Sequence, residues 1–203
     1  MVYILTESQY EKEAEPILQK VFTQNYPYEE CVNSSIEESL IVFPCSSYIE
    51  PNLIEGIVKA ASSLKEENCY LTNIFRYHEV PNHYSISLSE LLEEYVSSPS
   101  NIPSDGIKLN MDDWMEYVIY SNKGTWGLMI SNEGHGILAG SSQFINIVRQ
   151  SVSNLDDQVY LFLDKIRQLS NAPNATLEWV PELLNHIYDN SKIEQMLKQI
   201  KIS

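Results

Sequence analysis

The chain has 203 residues, 43% hydrophobic and 10% aromatic, with 7 Gly and 9 Pro, a composition that excludes disordered and fibrous classes and suits one ordinary domain with a sizeable core. Its 28 acidic against 13 basic residues leave a net charge of -15, which repels nucleic acid and speeds encounter with basic proteins. No apolar run approaches the roughly 18 residues that cross a bilayer, and the first nine residues lack the basic start and apolar stretch of a secretory signal.

Along the chain, Thr6 and Gln9 have the spacing of a capping box, and Tyr10, Ala14, Ile17, Leu18, Val21 and Phe22 recur at helical spacing. An N-terminal helix follows, bent near Pro16. Leu40 to Phe43 predicts a buried strand ending at Pro44. Pro51 opens a helix with Leu53, Ile54, Ile57, Val58, Ala61 and Leu64 on one side. Cys69 to Phe75 reads as the next strand, so strand, helix and strand make a crossover unit. After a loop around Pro81, Ser87 to Glu90 again has capping-box form. The Pro- and Ser-bearing stretch 97–106 is the best internal boundary, though the expectation remains a single domain over 1–203.

The most informative region runs from Trp114 to Gly140. Two apolar runs, Trp114 to Tyr120 and Thr125 to Ile130, flank Ser121-Asn122-Lys123-Gly124, a hairpin signal. A second turn, Asn132 to Gly136, leads to Ile137 to Gly140, so a β-meander is expected over about 114–140. Ser141 or Ser142 caps a helix bearing Phe144, Ile145 and Val148. Another helix carries Val159, Phe162 and Ile166, one starts near Pro181, and the last carries Ile193, Met196, Leu197 and Ile200. The fold class predicted is α+β, with a mixed or mainly antiparallel sheet, packed helices and an all-helical C-terminal part.

Chemical motifs are sparse. Neither a phosphate-binding Gly-rich loop nor a Gly-x-Ser-x-Gly elbow occurs, and no cofactor is implied. Cys31, Cys45 and Cys69 are odd in number and lack Cys-x-x-Cys spacing, which fits a reducing cytoplasm and argues against a disulfide framework. His78, His83, His135 and His186 form no metal-ligand pattern, so no metal is expected, and they read as surface or loop residues. A catalytic candidate places Glu133 and His135 on one turn beside Trp126, where the carboxylate would orient the imidazole as a general base.

The remaining reading is an interaction surface. Glu29, Glu30, Glu37, Glu38, Glu93, Glu94, Asp112 and Asp113, with Trp114, Trp126 and the nearby Tyr26, Tyr28 and Tyr95, supply carboxylates that steer a basic partner and rings that anchor it. In being small, acidic and free of cofactor motifs, the chain resembles the immunity proteins that bacteria use against basic nuclease toxins. The resemblance implies a noncatalytic inhibitor of a basic partner and carries over no site residue. The alternatives are a small enzyme using Glu133 and His135, and a structural or adaptor subunit.

Overall fold

The computed structural model describes residues 2–23, 26–28, 30–45, 49–74, 82–96, 116–170 and 177–200. The proposed boundary at 97–106 lies outside them. Among the described residues seven strands make one sheet: β1 (Tyr3–Ile4), β2 (Glu38–Val42), β3 (Asn68–Asn73), β4 (His83–Ser87), β5 (Tyr117–Ser121), β6 (Trp126–Ile130) and β7 (Gly136–Gly140). Their order is β1-β4-β3-β5-β6-β7-β2, and every pair is antiparallel. The expected meander is β5, β6 and β7, joined through turns in which Gly124 and Gly134 take positive φ, a conformation that costs glycine nothing.

The helices are α1 (Glu7–Gln9), α2 (Glu15–Leu18), α3 (Pro51–Ser63), α4 (Leu88–Val96), α5 (Ser142–Ser151), α6 (Gln158–Leu169), α7 (Trp179–Ile187) and α8 (Asn190–Ile200). Thr6 caps α1 through the expected box with Gln9. A π-helical turn, Tyr10–Ala14, joins α1 to α2 just before Pro16; proline has no amide to donate and crowds the carbonyl four residues back, so the wider turn absorbs the misfit. Ser141 accepts from the Phe144 amide and caps α5. From α5 onward the described chain is helical.

Alternation along the strands divides the core in two. Leu71, Ile119, Leu128 and Leu138 meet α3, α4 and α5, whereas Val118, Tyr120, Met129 and Ile137 meet the N-terminal helical segment and α6, α7 and α8. With both sides covered, β5, β6 and β7 are buried throughout, which explains their unbroken apolar runs. The expected crossover unit takes a wide form. β2 and β3 point the same way, but β5, β6 and β7 lie between them, so α3 spans the middle of the sheet.

β1 and β4 were not expected from the sequence. β4 pairs with β3 over five residues, and His83 is buried there with its ring stacked on Tyr10 at 3.6 Å. His135 is buried as well, so these two histidines are core residues and not the surface groups that the sequence suggested. His78 lies outside the described residues.

Candidate functional site

One end of the sheet gathers three elements: the segment 26–32, the β6–β7 turn 131–135, and α7. Gly134 lets the turn close, with its amide on the Ser131 carbonyl at 3.2 Å, and this brings His135 beneath the segment. The imidazole Nε2 meets the Pro27 carbonyl at 3.1 Å. A carbonyl only accepts, so Nε2 carries the proton and Nδ1 accepts from Ser131 Oγ at 2.8 Å. Burial holds His135 down at about 4 from an ordinary 6.5, since a charged ring would lose its water.

Tyr28 is the hub. Its hydroxyl donates to Glu116 Oε1 at 2.8 Å and also contacts Asn132 Oδ1. Glu116 precedes β5 and is 1% exposed. The Asn132 amide approaches Oε1 at 3.5 Å, while Oε2 has no hydrogen-bond partner among the described residues. Desolvation pushes Glu116 above the usual carboxylate range, helped by the negative Glu133. Burial, then Glu116, raises Tyr28 in turn.

Rings continue the cluster outward. Tyr26, 48% exposed, meets Tyr28 edge-on at 4.9 Å, and Tyr28 meets Trp179 in the same way at 4.9 Å. Trp179 stacks on His135 at 5.3 Å. On α7, residues 179, 182 and 186 share one stripe by helical spacing. His186 Nε2, at the far end of that stripe, accepts from the Val32 amide at 2.9 Å, and its Nδ1 faces Glu30 at 3.9 Å. Glu30, Glu133, Glu178 and Glu182 are exposed around the rings. Neither Lys nor Arg occurs in 26–32, 131–135 or 179–187.

The sequence-predicted residues are dispersed. Glu30 and Glu133 belong to this end of the molecule. Glu37 accepts from the Ser142 amide and Glu38 pairs with Arg149, both at the opposite end of the sheet. Glu93 is exposed on α4, across the sheet. Glu29, Asp112, Asp113 and Trp114 lie outside the described residues, as do the side chains of Glu94 and Tyr95. Trp126 is 0% exposed and stacked on Phe144, which makes it a core residue and not a surface anchor.

The catalytic pairing expected of Glu133 and His135 takes another form. Glu133 is exposed and His135 buried, the imidazole rests on Ser131 and Pro27, and its aromatic neighbours are Tyr28, Phe162 and Trp179 where Trp126 was expected. With both nitrogens engaged, the ring has neither a free lone pair nor an accessible proton for general-base work. Among the described residues no group of three His, Cys, Asp or Glu could hold a metal ion, and no helix is long and apolar enough to cross a membrane.

Sequence reasoning passed over Glu116 and Trp179. A signal existed for the first: Glu116 alternates with Val118 and Tyr120 on one side of an apolar strand, where an acid is out of place. Compared with protein-family models, curated proteins and solved structures, the chain shows no match.

Proposed function

We propose that the chain is a noncatalytic binding protein whose partner is a basic protein and, in the finer form of this reading, an immunity-type inhibitor of a basic nuclease toxin in the bacterial cytoplasm. The observation that carries it is the strip of exposed carboxylates, Glu30, Glu133, Glu178 and Glu182, set around aromatic rings with neither Lys nor Arg in the same three elements. Tyr and Trp are preferred anchors of interfaces, and unneutralised carboxylates accelerate docking of a positive surface. The engaged nitrogens of His135 weigh against the enzyme alternative. Among the described residues the large exposed apolar side chains, Tyr3, Ile4, Tyr26 and Leu161, lie on β1, the 26–32 segment and α6, and so offer the adaptor alternative little support. Three free, buried cysteines suit a reducing compartment.

The test is capture on the immobilised chain from source-cell lysate at low and high salt, followed by binding measurements with the purified partner. A basic protein held at low salt and released at high salt supports the reading, and loss of that partner's nuclease activity on adding the chain supports the finer form. No partner at either salt, or one indifferent to salt, overturns it.

A further inference from the structure

We propose that His186 is a proton-operated latch: neutral, it holds α7 to the 30–32 segment through the Val32 amide, and protonated, it gives up that amide and pairs with Glu30. The latch goes beyond the binding reading above and does not depend on it.

Geometry sets the two positions. His186 lies in the last turn of α7, with Nε2 accepting from the Val32 amide at 2.9 Å and Nδ1 standing 3.9 Å from a Glu30 carboxylate oxygen. An amide only donates, so Nε2 is bare and the one ring proton of the neutral imidazole sits on Nδ1. A second proton can enter only at Nε2, where it sets donor against donor and leaves the Val32 amide without its acceptor. Glu30 is the group that gains. Its side chain is 84% exposed, and the present separation is too long for a hydrogen bond but closes with a small side-chain rotation.

The backbone on both sides is held by other bonds. The Thr23 amide donates to the Cys31 carbonyl at 2.7 Å and the Asn33 amide to the Val21 carbonyl at 2.8 Å. Tyr188, just past α7, accepts from the Ile41 amide. Opening the latch therefore moves the imidazole rather than the chain around it. His135, at the other end of the segment, cannot act in this way, because its Nε2 donates to the Pro27 carbonyl in either charge state.

Among the described residues the charged and titratable groups around His186 are few. Glu30 faces it from the segment, next to the buried thiol of Cys31. Glu182 is exposed one turn earlier on α7. Asp189, beyond the helix end, is engaged by Ser191 Oγ and the Lys192 amide, and Lys192 lies over the Tyr188 ring. Burial lowers His186 from its ordinary 6.5 and Glu30 opposes that shift. The latch is thus closed above pH 6.5 and opens as pH falls below it.

The test is solution NMR on the full chain from pH 7.5 to 4.5. A scalar coupling across the Val32 N–H to His186 Nε2 bond is expected at pH 7.5 and should vanish as the ring titrates. Over the same range the exchange protection of the Val32 amide should drop roughly fivefold relative to that of Ile41, the worth of one hydrogen bond; the comparison removes any global loss of stability. In His186→Gln, whose amide oxygen accepts at every pH, the Val32 step should disappear. In Glu30→Gln the His186 midpoint should move to lower pH. Absence of the coupling at pH 7.5, Val32 protection that tracks Ile41 throughout, or a step that survives in His186→Gln overturns the latch. A midpoint that stays in place or rises in Glu30→Gln overturns the pairing that defines its open position.

Discussion

Glu66 and Trp126 meet inside the protein, where Oε2 of the acid accepts from the indole Nε1 at 3.1 Å. The same carboxyl group accepts from Ser121 Oγ at 2.7 Å and Thr125 Oγ1 at 2.6 Å. Glu66 follows α3, and its three donors line the β5–β6 turn, so one side chain ties the crossover helix to the meander. Removing the acid strands buried donors, which is costlier than never having made the bonds. Glu66→Ala should therefore lower stability by about 3 kcal/mol in urea unfolding. Trp126→Phe should cost less in that background than in wild type, with a coupling of about 1 kcal/mol. Strict additivity would show that the bond contributes nothing.

Stability should fall on acidification through His135. Its ring is neutral in the fold, with burial holding it at about 4, while the unfolded chain takes up a proton near 6.5. The contribution is thus complete above pH 6.5 and is lost as pH falls towards 4, reaching roughly 3 kcal/mol at the lower limit. His186, also lowered by burial, acts with the same sign, because a proton on Nε2 removes the acceptor for the Val32 amide. Urea midpoints across pH 7.5 to 4 should show the fall, and His135→Gln should flatten most of it while starting from a less stable protein. A variant with the full wild-type slope would assign the effect elsewhere.

A methyl group added at Gly127 has nowhere to go. It would stand 2.5 Å from Phe22 Cε2 and 3.2 Å from Val21 Cγ1, both packed beneath the middle of β6. Gly127→Ala should cost about 1 to 3 kcal/mol by overpacking, read as a lower thermal midpoint. Phe22→Leu in the same chain should recover part of the loss, and the absence of any recovery would place the strain in the backbone instead.

The three thiols should be silent in the native protein. Burial pushes Cys31 up to about 12 and raises Cys45 and Cys69 as well, so little thiolate forms at neutral pH. An aromatic disulfide reagent should find none of them without denaturant and all three in concentrated urea. Rapid labelling of one thiol in the native state would contradict this packing.

Legibility in the sequence followed the range of the forces involved. The meander was readable because its signals are local: two turns with glycine and three apolar runs. β4 was not, since His83-Tyr84-Ser85-Ile86-Ser87 looks polar beside Pro81, and His83 becomes a core residue only through its stack on Tyr10, far away in the chain. The site was half legible. Glu30, Glu133, Tyr26 and Tyr28 stood out as acids and rings, but their assembly depends on Trp179 and His186 arriving from α7, which no spacing announces. Trp126 was misread because an aromatic residue next to a turn looks exposed until α5 and Phe144 cover it.

The outer edge of β2 is closed in an unusual way: the Ile41 amide donates to Tyr188 Oη and the Phe43 amide to Gln158 Oε1, each at 3.0 Å. Gln158 opens α6 and Tyr188 lies between α7 and α8, so the ribosome delivers both acceptors after the seven described strands. During synthesis, therefore, the sheet can be complete while its last edge is still raw and able to recruit a strand from a neighbouring nascent chain. The late helices end that interval, acting as a stopper that makes the finished sheet a poor template for its own copies.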